Sequence, residues 1–289
     1  MSIAHGSSHS VAERSYVRVV TLNLWGRRGH WKQRRRILAD GLHELQPDLV
    51  AFIEAIKTDQ YDQVIDLLGD GYHVAHQRER EPGGDGDVGA GQGASIASRW
   101  PIRAVHEVDQ SVTARTRGFA ATTLVTDVAA PEPIGPLLFV NHVPNWQLDF
   151  ENERELQAVR AARAVEDLIR DREIHVVFAG DFTADPDSAS VRFLTGRQSL
   201  QGMSVCYRDA WESVRSGEPG ETFTPSNPLM AERNRDWPFR RLDYILVRCG
   251  DHRAPDLDIQ DCKLIFDQPV SGVWATDHFG VLADLAVPR

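Results

Sequence analysis

Cysteine is scarce in this sequence of 289 residues, which contains only Cys206, Cys249 and Cys262. These three residues lie far apart, no CxxC pair occurs, and no histidines stand at the spacing of a zinc-binding motif. A disulfide framework and a zinc site are therefore not supported by the sequence. We predict three free, buried thiols.

Long apolar runs and an excess of positive charge are also absent. No stretch approaches the roughly 20 apolar residues that a membrane-spanning helix needs, and residues 1–16 have neither a basic end nor an apolar run. The net charge of -10 argues against a protein that holds long nucleic acid by bulk electrostatics. We expect a cytoplasmic protein without a membrane span, with a disordered tail at residues 1–15 and a single domain at residues 16–289.

Positive charge is nevertheless concentrated in residues 27–36, RRGHWKQRRR, which contain six basic residues and no acidic one. This segment, with Trp31 inside it and Trp25 just before it, forms either a basic groove or a solvated helix face. A second, mixed cluster at residues 232–241 is open to the same two interpretations. The glycine-rich residues 81–93 predict a flexible loop, which is either a lip over a site or a plain connection.

The hydrophobic pattern alternates between two periods along the chain. Short runs rich in β-branched residues predict strands at residues 17–24, 48–53, 137–140, 174–178, 242–247 and 280–285. Apolar residues spaced by three and four predict helices at residues 31–45, 59–68 and 151–170. The predicted strands outnumber the predicted helices, and the two do not alternate regularly as they do in a doubly wound parallel sheet. We therefore predict an α/β sandwich of mixed sheets covered by helices.

Polar side chains stand at or near the ends of most of the predicted strands. They are Asn23, Glu54, Asn141 with His142, Asp181, Asp243, and Asp277 with His278. Each one taken alone has an ordinary structural explanation, such as a turn, a helix cap or an ion pair. Burying such groups singly is unfavourable, so we expect the whole set to be paired or gathered around a cation.

The order and spacing of seven segments resemble the endonuclease/exonuclease/phosphatase superfamily, the deoxyribonuclease-I-like metal-dependent phosphoesterases. The segments are TLNLWG, QPDLVAFIEA, SRWPI, NHVPNW, VVFAGDFTADPDS, RRLDYILV and TDHFGVLADL. The resemblance extends from about residue 17 to residue 287. It implies a four-layer αββα sandwich, with two mixed sheets face to face and helices outside. It also implies hydrolysis of a phosphodiester by metal-activated water with in-line displacement.

The resemblance assigns a metal site to three residues. Glu54 matches the family's metal-binding glutamate, and Asn23 and Asp277 match positions that hold the metal directly or through water. Oxygen ligands of this kind suit Mg²⁺ or Mn²⁺ as the cofactor.

The resemblance also assigns catalytic and phosphate-binding roles. Asp181 matches the residue that orients or deprotonates the nucleophilic water, and Asp243 with His278 matches a pair in which the carboxylate fixes the imidazole. His142 stands where relatives carry a His or Tyr that contacts the phosphate or protonates the leaving oxygen. Asn145 matches a phosphate-binding amide.

Three further residues are candidates for substrate binding. Thr183 departs from the family pattern, in which Asn or Asp stands two residues after the Asp of GDF, although its hydroxyl still suits a phosphate contact. Arg27 and Arg28 begin the basic segment close to Asn23. That segment could follow a phosphate backbone while the indoles of Trp25 and Trp31 stack on bases.

The resemblance leaves the substrate open, because the family hydrolyses DNA, RNA, phosphoinositides and sphingomyelin. RRLDYILV is of the nuclease type and lacks the tryptophan-cysteine-aspartate-arginine signature of inositol polyphosphate phosphatases. We predict a nuclease-like phosphodiesterase dependent on Mg²⁺ or Mn²⁺, acting on a phosphodiester such as a short nucleic acid. The alternatives are a small-molecule or lipid-headgroup phosphoesterase, and a weakly active or non-catalytic binding homologue.

Overall fold

A computed structural model of the chain describes the structure of residues 16–81, 89–250 and 254–288. The predicted tail at residues 1–15 and most of the glycine-rich segment lie outside the described residues. The strands are β1 (Val17–Asn23), β2 (Leu49–Ile56), β3 (His73–His76), β4 (Gln92–Ser98), β5 (Ile102–Asp109), β6 (Thr122–Val128), β7 (Leu137–Val143), β8 (His175–Asp181), β9 (Tyr207–Asp209), β10 (Asp243–Arg248), β11 (Asp258–Ile265) and β12 (Gly280–Ala286). The α-helices are α1 (Trp31–Leu45), α2 (Gln63–Leu68), α3 (Glu151–Ile169), α4 (Ala189–Leu194), α5 (Ala210–Val214) and α6 (Pro228–Asn234).

Two mixed six-stranded sheets lie face to face. The first has the strand order β11-β12-β1-β2-β4-β3, and the second has the order β5-β6-β7-β8-β10-β9. Each sheet contains one parallel pair, β1 with β2 and β7 with β8, among antiparallel neighbours. The predicted αββα sandwich is confirmed.

Three buried apolar clusters create the four layers. The central cluster lies between the sheets and includes Val19 of β1, Phe139 of β7 and Ile245 of β10. A second cluster packs the apolar stripe of α1 on the outer face of the first sheet, and a third packs the stripe of α3 on the outer face of the second sheet. The central strands of the two sheets, such as β1, β2, β7 and β8, are therefore buried on both faces.

The observed elements differ from the predicted ones mainly where the pattern is short or polar. The helix predicted at residues 59–68 begins at Gln63, because the Asp62 carboxylate accepts hydrogen bonds from the N–H groups of Val64 and Ile65 and caps the helix. Strands β3, β4, β5, β6, β9 and β11 were not predicted. Strand β3 has 4 residues and β9 has 3, and β5 carries charged residues on an exposed face.

The cysteines differ from the prediction in burial. All three thiols are free, but only Cys262 is buried, whereas Cys206 is exposed and Cys249 is partly exposed. Cys206 directly precedes β9, which is the edge strand of the second sheet, and edge positions leave side chains open to water. Among the described residues, none of the helices combines the length and the apolar character that crossing a bilayer requires.

A glycine near the end of β8 allows two strands to approach closely. Gly180 has a φ of +143°, and a Cβ placed on it would lie 2.2 Å from the backbone oxygen of His142. Only a residue without a side chain fits this contact between β7 and β8. The contact immediately precedes Asp181, so it affects the position of that carboxylate.

We expect Gly180→Ala to lower the free energy of unfolding by about 3 kcal/mol or more, because the added methyl group meets backbone that cannot rotate away. Urea denaturation followed by circular dichroism measures this loss. Gly202→Ala is the matched control, since Gly202 has a φ of +71° with nothing within 4 Å of the added Cβ. The control should lose only about 1 kcal/mol for its backbone conformation. Equal losses in the two variants would contradict a steric contact at Gly180.

Candidate active site

A cleft opens where strands of the two sheets end. It consists of two adjoining cavities of about 590 Å³ and 400 Å³. Both cavities are lined by Arg28, Glu54, Trp146, Asp181 and Thr183. Because these residues come from both sheets and from the loops that follow them, the cleft exists only in the folded sandwich.

Strand register brings polar strand ends from both sheets together. Asp181 at the end of β8 pairs with Asp243 at the start of β10. Across the sandwich, the Asn23 side-chain amide at the end of β1 donates a hydrogen bond of 3.2 Å to Asp181 Oδ2. The Asn23 oxygen accepts from the backbone N–H of Trp25 at 3.0 Å, which fixes the orientation of the amide. Asn23 thus joins the two sheets next to Asp181, which lines the cleft.

His278 is held between carboxylates. Its Nδ1 lies 2.9 Å from Asp243 Oδ2, and its Nε2 lies 3.9 Å from Asp181 Oδ2. Burial alone would lower the pKa of His278, but the charges of Asp243, Asp181 and Asp277 outweigh it and raise the pKa to about 10. The imidazole is therefore a cation at neutral pH, with Nδ1–H donating to Asp243 and Nε2–H directed toward the Asp181 side.

Negative charge is crowded in the cleft. Burial, together with the Asp243 charge, raises the pKa of Asp181 to about 6. Burial, together with the Glu54 charge, raises the pKa of Asp277 to about 6, and burial also raises the pKa of Glu54. Carboxylates whose ionised forms are destabilised in this way provide the charge and the oxygen atoms that a divalent cation binds.

Two separate sets of residues supply ligand atoms for a cation. Asp181, Asp243 and His278 place one ligand atom each within 4.8 Å of one another. However, a protonated His278 has no lone pair to offer a metal, and its Nδ1 is already bonded to Asp243. Glu54 and Asp277 line the same cavity and supply oxygen ligands alone, so they fit a hard cation such as Mg²⁺ better.

Three non-glycine residues that line the cleft have left-handed backbones. Glu54 has a φ of +56°, and the pairing of β2 with β4 contains a bulge between Phe52 and Ala55. Trp25 and Thr183 also have left-handed backbones, with φ of 55° and 49°. Non-glycine residues in this conformation are uncommon and occur often at functional sites. The bulge turns the Glu54 side chain out of the strand pattern, where Arg28 Nη1 donates to its Oε2 at 3.0 Å.

Thr183 supports Asp181. The Thr183 backbone N–H and hydroxyl both donate to Asp181 Oδ1, at 3.0 Å and 3.1 Å. The hydroxyl is thus already used to orient the carboxylate, although the residue also lines both cavities.

Asn145 carries a free donor. Its side-chain oxygen accepts a bond of 2.6 Å from Gln157 on α3, and its backbone N–H donates to the same glutamine at 3.1 Å. Its side-chain N–H₂ is buried and has no hydrogen-bond partner among the described residues, and the residue as a whole lines the larger cavity. Gln157 was missed by the sequence reasoning, and the signal was a glutamine on the buried stripe of an amphipathic helix.

His142 does not lie in the cleft. Its Nδ1 is 2.7 Å from the Thr123 hydroxyl, and its ring packs edge-on against Phe178 and Phe182 on the helix-covered face of the second sheet. Asn141 points the other way, toward the first sheet, because successive strand residues face opposite sides. The predicted contact of His142 with the substrate is therefore not supported.

Most of the basic segment does not reach the cleft either. Arg27 lies over the ring of Tyr61 at 5.0 Å and lines neither cavity. Trp25 and Trp31 flank the buried guanidinium of Arg34, so their inner faces are unavailable for stacking on bases. Of the two arginines proposed from the sequence, Arg28 alone lines the cleft.

An aromatic wall that the sequence reasoning missed borders the cleft. Trp146 is 57% exposed, and its ring centroid lies 6.2 Å from that of Trp237. Phe223 packs edge-on against Trp237, and its ring centroid lies 4.6 Å from that of His278. The only signal in the sequence was a tryptophan directly after Asn145 in NHVPNW.

Known proteins share both a sequence pattern and the fold. A model described as "Endonuclease/Exonuclease/phosphatase family" matches residues 20–278, which confirms the resemblance. No curated protein sequence matches this chain.

Several solved structures share the fold at low sequence identity. The D. rerio TDP2 complexed with a single-strand DNA product has 19% identity and a TM-score of 0.70, covering 95% of this chain and 100% of that one. The human nocturnin catalytic domain with bound sulfate has 16% identity and a TM-score of 0.72, covering 95% and 96%. The endonuclease/exonuclease/phosphatase from Bacteroides vulgatus has 17% identity and a TM-score of 0.69, covering 95% and 100%.

The burial of His142 predicts a dependence of stability on pH. Burial lowers the pKa of the folded-state imidazole to about 3, below the value of about 6.5 in an unfolded chain. The unfolded state binds the proton first, so the contribution is complete above about pH 6.5 and is lost progressively toward about pH 3. We expect the free energy of unfolding of His142→Gln to fall less steeply between about pH 6.5 and about pH 4 than that of the wild type. Urea denaturation at each pH tests this prediction, with His106→Gln, at an exposed position of β5, as the control. The same pH dependence of the unfolding free energy in His142→Gln and in the wild type would contradict it.

The backbone of Thr183 predicts a stabilising substitution. Asparagine tolerates the left-handed conformation better than a β-branched residue, so Thr183→Asn should raise Tm by about 2 °C. Differential scanning calorimetry measures the change. Thr183→Val, which keeps the branched side chain and removes the hydroxyl that bonds Asp181, should lower Tm. A lower Tm in both variants would show that the hydroxyl outweighs the backbone strain.

Proposed function

The chain belongs to the endonuclease/exonuclease/phosphatase family, and we propose that it is a phosphodiesterase dependent on Mg²⁺ or Mn²⁺ that acts on short single-stranded nucleic acid. The observation that supports this proposal is the position of His278, which is bonded to Asp243 and faces Asp181 in a cleft lined by further carboxylates. An acid, a base and oxygen ligands for a cation are the groups that phosphodiester hydrolysis needs.

Glu54 and Asp277 would hold the cation, with Asn23 beside them. When bound, a divalent cation supplies neutralisation of the phosphate charge and activation of a water molecule. This assignment is consistent with the raised pKa values of both carboxyl groups, which a cation would reverse.

The remaining polar residues divide the other tasks. Asp181, with a pKa near 6, is mostly ionised at neutral pH and is suited to accept a proton from water. The His278 cation is suited to donate to a phosphate oxygen and to stabilise the charge that develops there. Asn145, whose amide nitrogen has no partner among the described residues, lines the larger cavity and is suited to supply another donor.

The aromatic wall supports a substrate with unpaired bases. Trp146 is too exposed for a core residue, and with Trp237 it offers flat surfaces beside the phosphate-binding groups. Stacking of bases on aromatic rings is the usual way in which proteins hold single strands. The D. rerio TDP2 structure, which shares this fold, contains a single-strand DNA product. A small phosphodiester is the second candidate, because a net charge of -10 favours a short substrate.

Hydrolysis of bis(p-nitrophenyl) phosphate and of a single-stranded oligonucleotide tests the proposal. We expect cleavage with Mg²⁺ or Mn²⁺ and none with EDTA, since the water and the phosphate need the cation. His278→Ala should lower kcat by about 100-fold or more, and Glu54→Gln should raise the metal concentration that is needed for half-maximal rate.

Glu173→Gln, at an exposed position away from the cleft, is the matched control and should behave as the wild type. Hydrolysis that persists in EDTA, or that is unchanged in His278→Ala, would contradict the proposal. Cleavage of the small diester without cleavage of the oligonucleotide would favour the second candidate substrate.

A further inference from the structure

The glutamate proposed as a metal ligand already has a positively charged partner. Arg28 Nη1 donates to Glu54 Oε2 at 3.0 Å, and the two side chains are 28% and 31% exposed. Both residues line both cavities of the cleft. A guanidinium therefore stands at the carboxylate that a divalent cation would use.

Arg28 and the nearby Arg34 differ in how firmly they are held. The Arg34 guanidinium donates to the backbone oxygens of Leu24, Arg28 and Ala275 and is fully buried. In the described part of the chain, Glu54 is the side-chain partner of the Arg28 guanidinium. The backbone oxygen of Arg28 accepts a bond from Arg34, while its side chain is partly exposed and is not enclosed as that of Arg34 is.

A divalent cation and a guanidinium on the same carboxylate oppose each other. Arg28 already occupies Glu54 Oε2, and the like charges of a guanidinium and a divalent cation on one carboxylate repel at short distance. A displaced Arg28 side chain remains in a cavity that is also lined by Asn145, Asp181 and Thr183. That cavity is where a substrate phosphate would lie, and a guanidinium binds phosphate oxygens through two parallel hydrogen bonds.

We propose that Arg28 is an exchangeable counterion, which neutralises Glu54 in the metal-free protein and transfers to the substrate phosphate when a divalent cation binds. This inference rests on the proposed function, because it assumes that Glu54 holds a cation. The exchange makes the binding of metal strengthen the binding of phosphate, and the reverse, since each ligand removes one partner from the Arg28–Glu54 pair.

Binding of Mn²⁺ without any substrate tests the first half of the exchange. Electron paramagnetic resonance of free Mn²⁺ gives the Kd for the wild type and for Arg28→Met, Arg28→Lys and Arg36→Met. Arg28→Met should bind Mn²⁺ about fivefold more tightly, because the competing charge is gone. Arg28→Lys, which keeps the charge, should stay near the wild type. Arg36→Met, which removes the same charge from an exposed position of α1, should also stay near the wild type.

Inorganic phosphate tests the second half. Saturating Mn²⁺ should tighten phosphate binding in the wild type and much less in Arg28→Met, as measured by isothermal titration calorimetry. An unchanged or weaker Mn²⁺ affinity in Arg28→Met would overturn the exchange while leaving the proposed function intact. Equal effects of Mn²⁺ on phosphate binding in both proteins would overturn the transfer to phosphate. Absence of Mn²⁺ binding in every variant would contradict the proposed function itself, and this inference with it.

Discussion

The candidate site depends on the contacts that the buried guanidinium of Arg34 makes. It lies between the indole rings of Trp25 and Trp31 and binds carbonyl oxygens from two chain segments that are far apart in sequence. One segment follows Asn23 and the other precedes Asp277, so Arg34 ties together both sides of the proposed metal site. Burial lowers its pKa to about 10, and the charges of Asp277 and Glu54 favour its charged form. The acidic residues of the cleft thus help to stabilise the charged Arg34 guanidinium, which in turn holds the two segments of the site together.

The cleft itself contains more negative charge than its cations balance at close range. His278 is bonded to Asp243, and Arg28 is bonded to Glu54, while Asp181 and Asp277 have raised pKa values. Such a site is unfavourable for folding by itself and becomes favourable with a cation or a proton. The left-handed backbones at Glu54 and Thr183 also indicate a functional site, because strain of this kind persists only where the surrounding structure imposes it.

Prediction from the sequence succeeded where the signal was local and strong. The helix at residues 31–45 has the bounds of α1, and the six predicted strands all exist, because their β-branched runs are buried on both faces. Strands such as β4, QGASIAS, were missed because small and polar residues form strands only when a neighbouring strand pairs with them. Of the residues chosen for their positions at strand ends, Glu54, Asp181, Asp277 and His278 line one cleft. Asn23 and Asp243 do not line it but are bonded to Asp181 and His278.

The sequence by itself determined the positions of six strands and of the long helices α1 and α3, and which polar side chains stand at the ends of those strands, because periodicity and strand-end position are properties of short segments. The tertiary structure alone decided that His142 faces away from the cleft, that Glu54 turns into it at a bulge, and that Arg28 reaches the cleft while Arg27 does not. Each of these outcomes depends on which face of a strand or loop packs against the other sheet or a helix. That choice is made by contacts between residues distant in sequence, which local patterns do not contain.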